Sequence, residues 1–202
     1  MNVRQANISD LKDIVAVHIS CFPNSFSTQL GSKLLEKMYL EYITEAPELF
    51  LVAEDNMKIV GFVMGYYFDG KDSLYQFRKN NMIVFALKTI QLLVCGNRPA
   101  WKKLRSSIRK GTTFTTLDNR INEYDNSQMA DLLSICVKNE YRGTGIANHL
   151  IRDYETVVKE KGRKLCTLTV ADYNGRGIRF YEKNGYSVCR RADGCKTYYK
   201  QL

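Results

Sequence analysis

The stretch "KNEYRGTGIANHLI", residues 138–151, decides the fold of this chain because it joins a predicted strand to a predicted helix. It places Arg142, Gly143, Gly145 and Ala147 close together, whereas a plain strand-to-helix turn needs one glycine at most. A helix N-terminus carries about half a unit of positive charge and several unpaired N–H groups. Small residues there let an anion approach the backbone, so the turn fits a diphosphate.

Two other phosphate-binding motifs do not match this turn. No G-K-[ST] follows Gly145, which excludes a P-loop, and Asn148 stands where G-x-G-x-x-G needs its third glycine. A glycine-containing turn alone is as often a packing turn as a binding site. The elements on either side of the turn therefore carry the interpretation.

The elements around the turn are a strand before it and a helix after it. Residues 129–138 predict a strand with alternate side chains on one face, which are Asp131, Leu133, Ile135 and Val137. After the turn, apolar residues recur at helical spacing up to Gly162, namely Ala147, Leu150, Ile151, Tyr154 and Val158. Residues 164–171 predict the next strand. A helix over "GIRFYEKN", closed by Gly185, and two final strands complete the chain.

The first third of the chain predicts a strand, two helices and a hairpin. Residues 2–6 form the strand, and Ser9 or Asp10 caps a helix running to about His18. A second helix starts at Ser32. Two strands over 49–55 and 58–68 pair as an antiparallel hairpin around Asp55-Asn56.

Bulk composition limits the class of protein. The 202 residues suit one domain, and their ordinary apolar and charged fractions predict a folded globular chain. Six cysteines without C-x-x-C spacing and only two histidines argue against a zinc site, so we expect no metal. Scattered thiols fit a reducing cytosol, and the N-terminus has no apolar signal core, so we expect a cytoplasmic protein.

The net charge of +9 is concentrated in the middle of the chain. Residues 69–122 hold eleven Lys/Arg and three Asp/Glu, a surplus of eight positive charges. Within them, 82–95 is apolar almost all round but shorter than the roughly 20 residues of a spanning helix. Pro99 suits the start of a second, basic helix over 99–110. We interpret 69–125 as a basic helical insertion within a single domain, 1–202.

The glycine turn, taken with its context, resembles the acyl-coenzyme A signature of the GNAT acetyltransferase superfamily. Val137-x4-Arg142-x2-Gly145-x-Ala147 follows that signature, and Asn174-x6-Tyr181 followed by "EKNGY" resembles the family's second motif. Two departures are Gly177, where Ala is usual, and Tyr186, where Phe is usual. The resemblance is strong over 129–188, looser over 1–68, and fails over about 69–125.

The resemblance implies an α/β fold in which helices flank a mixed, mostly antiparallel sheet. It also implies acetyl-coenzyme A as co-substrate, without a metal. The strand before the turn would separate from the next one, and its backbone would pair with the pantetheine arm of the cofactor. The cofactor-binding residues implied are Ile135, Cys136, Val137, Arg142, Gly143, Thr144, Gly145, Ile146, Ala147, Asn148 and Asn174.

The reaction implied is direct transfer of an acyl group from the thioester to an amine. Tyr181 would protonate the leaving thiolate, although it could also be a core tyrosine, and Asn174 could also cap its helix. Asp131 is our candidate base, with Glu123, Asp125 or a water relay as alternatives. Thr169 stands where other members carry a Glu. We interpret His18 and His149 as structural or exposed, and Cys136 as a core residue rather than a nucleophile.

The sequence allows several acceptors and several roles for the insertion. A small-molecule amine, such as an amino sugar or a nucleotide-linked sugar, is the leading acceptor, and O-acylation is an alternative. The insertion could pack on the domain, or on a second copy to form a homodimer. It could instead form one wall of the cleft and select an anionic acceptor, or attach to a membrane surface. Nucleic acid is not expected, because no known module is present. A non-catalytic acyl-coenzyme A-binding or docked module of the same fold is the competing function.

Overall fold

One mixed sheet organises this computed structural model, which describes residues 1–68, 81–98, 100–101, 115–192 and 194–202. Within those residues eight strands lie in the order β1-β2-β3-β5-β6-β8-β7-β4. The strands are β1 Asn2–Gln5, β2 Phe50–Asp55, β3 Lys58–Tyr67, β4 Thr115–Thr116, β5 Met129–Val137, β6 Leu165–Ala171, β7 Ser187–Ala192 and β8 Cys195–Gln201. The helices are α1 Leu11–Cys21, α2 Phe26–Gln29, α3 Ser32–Glu45, α4 Met82–Val94, α5 Ile146–Glu160 and α6 Gly175–Lys183.

The pairing is antiparallel between all neighbouring strands except β5 and β6, which are parallel. A two-residue hairpin can join only antiparallel strands, so the parallel strands β5 and β6 need a longer crossover connection. The glycine turn and α5 form this connection. The predicted fold class, a mostly antiparallel sheet flanked by helices, is confirmed.

Helices cover both faces of the sheet. Leu150, Ile151, Tyr154 and Val158 of α5 are fully buried at helical spacing against one face. On the other face α1 and α3 pack through a second apolar cluster, whose members include Ile14, Val17, Leu35, Tyr39 and Phe62. Because both faces are covered, the central strands β2 and β3 are buried along most of their length.

The start of α1 differs from its prediction. Neither Ser9 nor Asp10 caps the helix through its side chain; Asn7 caps a short 3-10 turn, Ile8–Asp10, that precedes α1. Asp10 instead accepts hydrogen bonds from Arg4, at 2.7 Å from Nη1. The charge-assisted hydrogen bonds with the partly buried Arg4 guanidinium are stronger than a capping hydrogen bond to a backbone amide of α1, so the Asp10 carboxylate faces Arg4.

The β2–β3 hairpin turns at Asn56-Met57, one residue later than predicted. Both residues have positive φ, 48° and 61°, and Asp55 pairs directly with Lys58. Two central residues with positive φ match the right-handed twist of the flanking strands, which favours this turn in a two-residue hairpin.

The predicted insertion is described in part. The helix expected over 82–95 is present as α4, Met82–Val94, and no described helix is long and apolar enough to span a bilayer. The second helix, predicted over 99–110, lies outside the described residues apart from 100 and 101. The polar connector before β5 contains an unpredicted strand, β4, which pairs with Arg190 and Arg191 of β7 at the edge of the sheet.

Candidate active site

The candidate site is a cleft opened by the separation of β5 from β6. Their pairing covers only three positions, in which Asp131 faces Thr167 at the end. Beyond Asp131, β5 pairs with β3 as far as Val137, while β6 continues along β8. One backbone edge of residues 132–137 therefore faces the cleft, which agrees with the strand separation that the resemblance implied.

A cavity of about 430 Å³ occupies this cleft, a volume within the range of small-molecule and cofactor sites. It brings together Tyr181 and every predicted cofactor-binding residue except Thr144. It is lined by Cys21, Phe22, Ile135, Cys136, Val137, Tyr141, Arg142, Gly143, Gly145, Ile146, Ala147, Asn148, Asn174, Arg176, Gly177, Phe180, Tyr181 and Lys183.

The glycine turn closes one end of the cavity. Gly143 and Gly145 have φ of 83° and 90°, a backbone conformation that other residues rarely adopt. A Cβ at either position would meet nothing within 4 Å, so the space over the turn is open. The first helical hydrogen bonds run from Asn148 and His149 to the Gly145 carbonyl. The amides of residues 146 and 147 precede them, as at any helix N-terminus that binds anions.

Thr144 does not line the cavity. Its hydroxyl donates to the Tyr141 carbonyl at 2.7 Å and so stabilises the turn from outside. Arg142 does line the cavity, with Nε 3.3 Å from the Val137 carbonyl.

Two cationic residues on α6 were not predicted from the sequence to belong to the site. Arg176 and Lys183 line the cavity together with Arg142. They are seven residues apart, two helical turns, and so share a face of α6. They lie five residues before and two residues after Tyr181, so helical spacing from Tyr181 does not predict them. Three cations around one cavity suit a ligand that carries several phosphates.

Cys21 also lines the cavity, and no sequence pattern could have placed it there, because it lies 116 residues from its partner. Its Sγ donates to the Val137 carbonyl at 3.3 Å. A hydrogen bond with Cys136, helped by the charge of Arg142, lowers the pKa of Cys21 to about 6. Burial raises the pKa of Cys136 well above its usual value, which agrees with its interpretation as a core thiol.

A β-bulge in β5 overturns one prediction about Asp131. Met64 pairs with Ser134 but Gly65 pairs with Leu132, so Leu133 is an extra residue. An extra residue reverses the alternation of side chains. Asp131 therefore does not share a face with Ile135 and Val137, and the predicted common face is wrong. Sequence alternation alone contains no signal for this bulge.

Asp131 lies at the base of the cleft, outside the residues that line the cavity. Its Oδ1 accepts a 2.6 Å hydrogen bond from the Thr167 hydroxyl. Burial raises the pKa of the Asp131 carboxyl to about 7, and the Thr167 hydrogen bond opposes this rise. A carboxyl that changes charge near neutral pH can take a proton from a substrate.

The bulge is held by Tyr154 of α5. Its hydroxyl donates to the Asp131 backbone carbonyl at 2.9 Å. A Cβ at Gly65 would lie 1.9 Å from that hydroxyl and 2.2 Å from the same carbonyl. Only glycine at position 65 lets helix and bulge approach so closely.

Tyr181 projects from α6 with its ring packed edge-on against its aromatic neighbours. Its ring centroid lies 5.4 Å from that of Phe180 and 5.9 Å from that of Tyr186. Burial raises the pKa of Tyr181, so the phenol stays protonated at neutral pH. The residue thus packs like a core tyrosine and also reaches the cavity wall.

Asn174 caps α6, as its capping alternative predicted, and also lines the cavity. Its Oδ1 accepts from the Gly177 amide at 3.0 Å. A Cβ at Gly177 would lie 2.6 Å from Asn174 Nδ2. This close approach gives a physical reason for glycine at the position where the family usually has alanine.

The other base candidates have different surroundings. Asp125 caps a 3-10 turn by accepting from the Ser127 amide, Glu123 and His149 are exposed, and Thr169 bonds Thr197 at 3.2 Å. His18 is buried, its Nδ1 is 2.5 Å from the Tyr39 hydroxyl, and burial lowers the pKa of His18 to about 4. Among the described residues, no three His, Cys, Asp or Glu side chains form a group that could hold a metal.

The sheet, the separated parallel pair and the glycine turn define the class of this protein as an acyltransferase-type α/β domain. Residues 112–188 match the family model of the acetyltransferase (GNAT) domain. Over these residues, which are more than a third of the chain, the match confirms the resemblance seen in the motifs. Acetyl-coenzyme A is the co-substrate of acetyltransferases in this family.

Known proteins similar to this chain support the family and the fold. A spermidine N(1)-acetyltransferase of Thermoplasma acidophilum is 39% identical over 59 residues, which span 29% of this chain and 37% of that protein. The PaiA N-acetyltransferase of the same organism, solved with coenzyme A, has a TM-score of 0.60 at 18% identity, covering 100% of this chain and 98% of its own. Chaetomium thermophilum Naa20, solved with a bisubstrate analogue, has a TM-score of 0.56 at 17% identity, covering 100% and 87%.

Proposed function

We propose that this protein transfers an acetyl group from acetyl-coenzyme A to an amine of a small molecule, by direct attack in the β5–β6 cleft. One observation carries the proposal: a single cavity is lined by the glycine turn, the end of β5 and Tyr181. These groups match the three parts of the donor that need recognition, its diphosphate, its pantetheine arm and its thioester.

The donor would bind along the length of the cavity. Its diphosphate would accept from the amides of residues 143–148, while Arg142, Arg176 and Lys183 offset its charge. Its pantetheine arm would pair with the edge of β5 that faces the cleft at residues 135–137, as an added strand does. Asn174 would contact the arm or a bound water.

The chemistry needs one bond made, one bond broken and two proton transfers. The neutral amine attacks the thioester carbonyl, forming the C–N bond, and a backbone N–H of β5 stabilises the oxyanion. As the C–S bond breaks, Tyr181 gives its proton to the coenzyme A thiolate. The amine proton passes to Asp131, directly or through water, and solvent restores both residues.

Charge favours an anionic acceptor over a polyamine. The net charge of +9 disfavours association with a polycation such as spermidine and favours an anionic acceptor such as a nucleotide-linked amino sugar. A peptide amine is the second candidate, because the fold is shared with the ribosomal-protein-S18-alanine N-acetyltransferase of Escherichia coli.

Calorimetry followed by an acceptor panel tests this proposal. Acetyl-coenzyme A should bind the full chain, and release of free thiol should accelerate with a nucleotide-linked amino sugar more than with spermidine or a peptide. Absence of donor binding at millimolar concentration would end the proposal. Binding without turnover on any acceptor would instead favour the non-catalytic module, and preference for the peptide would replace the acceptor class alone.

A further inference from the structure

Helix α4 presents an apolar stripe to solvent. Leu87, Ile90 and Val94 are 63%, 56% and 82% exposed. Their spacing of three and four residues places them on one face of the helix. Trp101, just beyond α4, is 42% exposed and its indole Nε1 donates to the Leu93 carbonyl at 3.0 Å. Four large apolar side chains in one exposed region mark an interaction surface rather than scattered exposure.

A different part of the same helix is anchored to the domain. Leu92 packs on the buried side chains of Leu30 and Leu34. After the helix, Asn97 Nδ2 donates to Gln29 Oε1 at 3.0 Å. The domain therefore holds α4 through these contacts and leaves the stripe of Leu87, Ile90 and Val94 outward.

The sequence segment that carries the stripe has only positive charges. Residues 82–110 hold seven Lys and Arg and no Asp or Glu. Lys88 and Arg98 belong to this set and are exposed in the structure. A cationic surface repels a second copy of itself but is attracted to anionic lipid headgroups, with about 1 kcal/mol contributed by each Lys or Arg near the membrane.

We propose that α4 docks this protein on the surface of an anionic phospholipid bilayer. The stripe would enter the boundary between headgroups and acyl chains, and the surrounding cations would contact lipid phosphates. Trp101 suits the same depth, because its indole is apolar with one polar N–H. With 13 residues α4 is too short to span, so it would lie in the plane of the membrane.

Vesicle flotation of the full chain tests the docking. Wild-type protein should float with vesicles of phosphatidylcholine and phosphatidylglycerol, and float weakly with phosphatidylcholine alone or in high salt. The variant Leu87→Gln/Ile90→Gln/Val94→Gln should bind the anionic vesicles at least about tenfold more weakly, because each side chain loses apolar burial. A second variant, Lys88→Gln/Arg98→Gln, should lose part of the anionic preference.

A matched control separates docking from general surface hydrophobicity. Ile8→Gln/Met57→Gln/Leu117→Gln removes three other exposed apolar side chains, all outside α4, and should float as wild type does. Circular dichroism and acetyl-coenzyme A affinity should be unchanged in every variant. The proposal is wrong if wild-type protein ignores anionic vesicles, or if the stripe variant binds as tightly as wild type. If the stripe variant instead turns a dimer into a monomer, the surface is an interface between copies.

Discussion

Tyr181 has a ring packed against its aromatic neighbours and lines the cavity. One substitution can remove its hydroxyl and keep the ring, which separates proton donation from packing. Tyr181→Phe keeps the ring contacts with Phe180 and Tyr186 but removes the proton donor. We expect kcat to fall about 100-fold, while acetyl-coenzyme A affinity stays within about twofold because packing is kept. Steady-state kinetics and calorimetry measure both quantities. Unchanged kcat would leave Tyr181 as a core residue.

The proposed role of Asp131 as the base predicts how the reaction depends on pH. A base must be ionised to act, and the pKa of Asp131 is raised to about 7. We expect kcat/KM to rise with pH through this value. Asp131→Asn should lower kcat/KM at high pH and remove that limb of the profile. If the limb survives the substitution, the base is another group or a water relay.

Cys21, which lines the cleft cavity, should react as a thiolate. Because its pKa is lowered to about 6, alkylation by iodoacetamide should accelerate as pH rises through that value and then level off. Acetyl-coenzyme A should slow the reaction, since Cys21 lines the cavity. Peptide mass spectrometry follows the modification, with buried Cys136 as the internal control. Equal rates with and without the donor would place the cofactor elsewhere.

At the scale of elements, α5 contacts the bulge of β5, the strand that borders the cleft, through the Tyr154 hydroxyl. Gly65→Ala puts a Cβ where the Tyr154 hydroxyl and the Asp131 carbonyl already lie. We expect a loss of more than about 3 kcal/mol of stability, as for other forced clashes in a core. Tyr154→Phe alone should cost about 1 kcal/mol, the net worth of one hydrogen bond.

The double variant tests whether the two residues act on each other. Removing the Tyr154 hydroxyl relieves the shortest of the three contacts that alanine would violate, so Gly65→Ala/Tyr154→Phe should be more stable than the sum of the single effects. Urea unfolding measures all four proteins. Strict additivity would mean that the Tyr154 hydroxyl does not restrict position 65.

Elements with strong periodicity were predicted well. Helix α3 matches its predicted start at Ser32, and β6 and α5 match within one or two residues, because each buries one repeating face. The bulge at Leu133 and the strand β4 were not predicted. Both depend on a partner strand distant in the sequence, and local pattern does not reveal such a partner.

At the scale of the whole molecule, the burial of Asp131 makes stability depend on pH. Its pKa is raised from 3.8 to about 7 in the folded protein, so the folded state binds more protons than the unfolded state between these values. Stability therefore falls as pH rises from about 4 to about 7, by up to about 4 kcal/mol from this group. Asp131→Asn should flatten this slope and be the more stable protein at about pH 8. Urea unfolding at several pH values checks the sign; an unchanged slope would contradict it.

The sequence by itself determined the resemblance to the GNAT superfamily, the glycine turn and most of the residues that line the cleft cavity, because these depend on residues close together in the chain. The helix N-terminus at Gly145 and the capping of α6 by Asn174 are local consequences of glycine and asparagine chemistry. Only the tertiary structure decided which distant groups join them. Cys21 reaches Val137, Thr167 reaches Asp131 and Tyr154 reaches the bulge through packing across the sheet. Burial of Asp131 within this packing, rather than residue type, raises its pKa to about 7, and the hydrogen bond from Thr167 only partly opposes the rise.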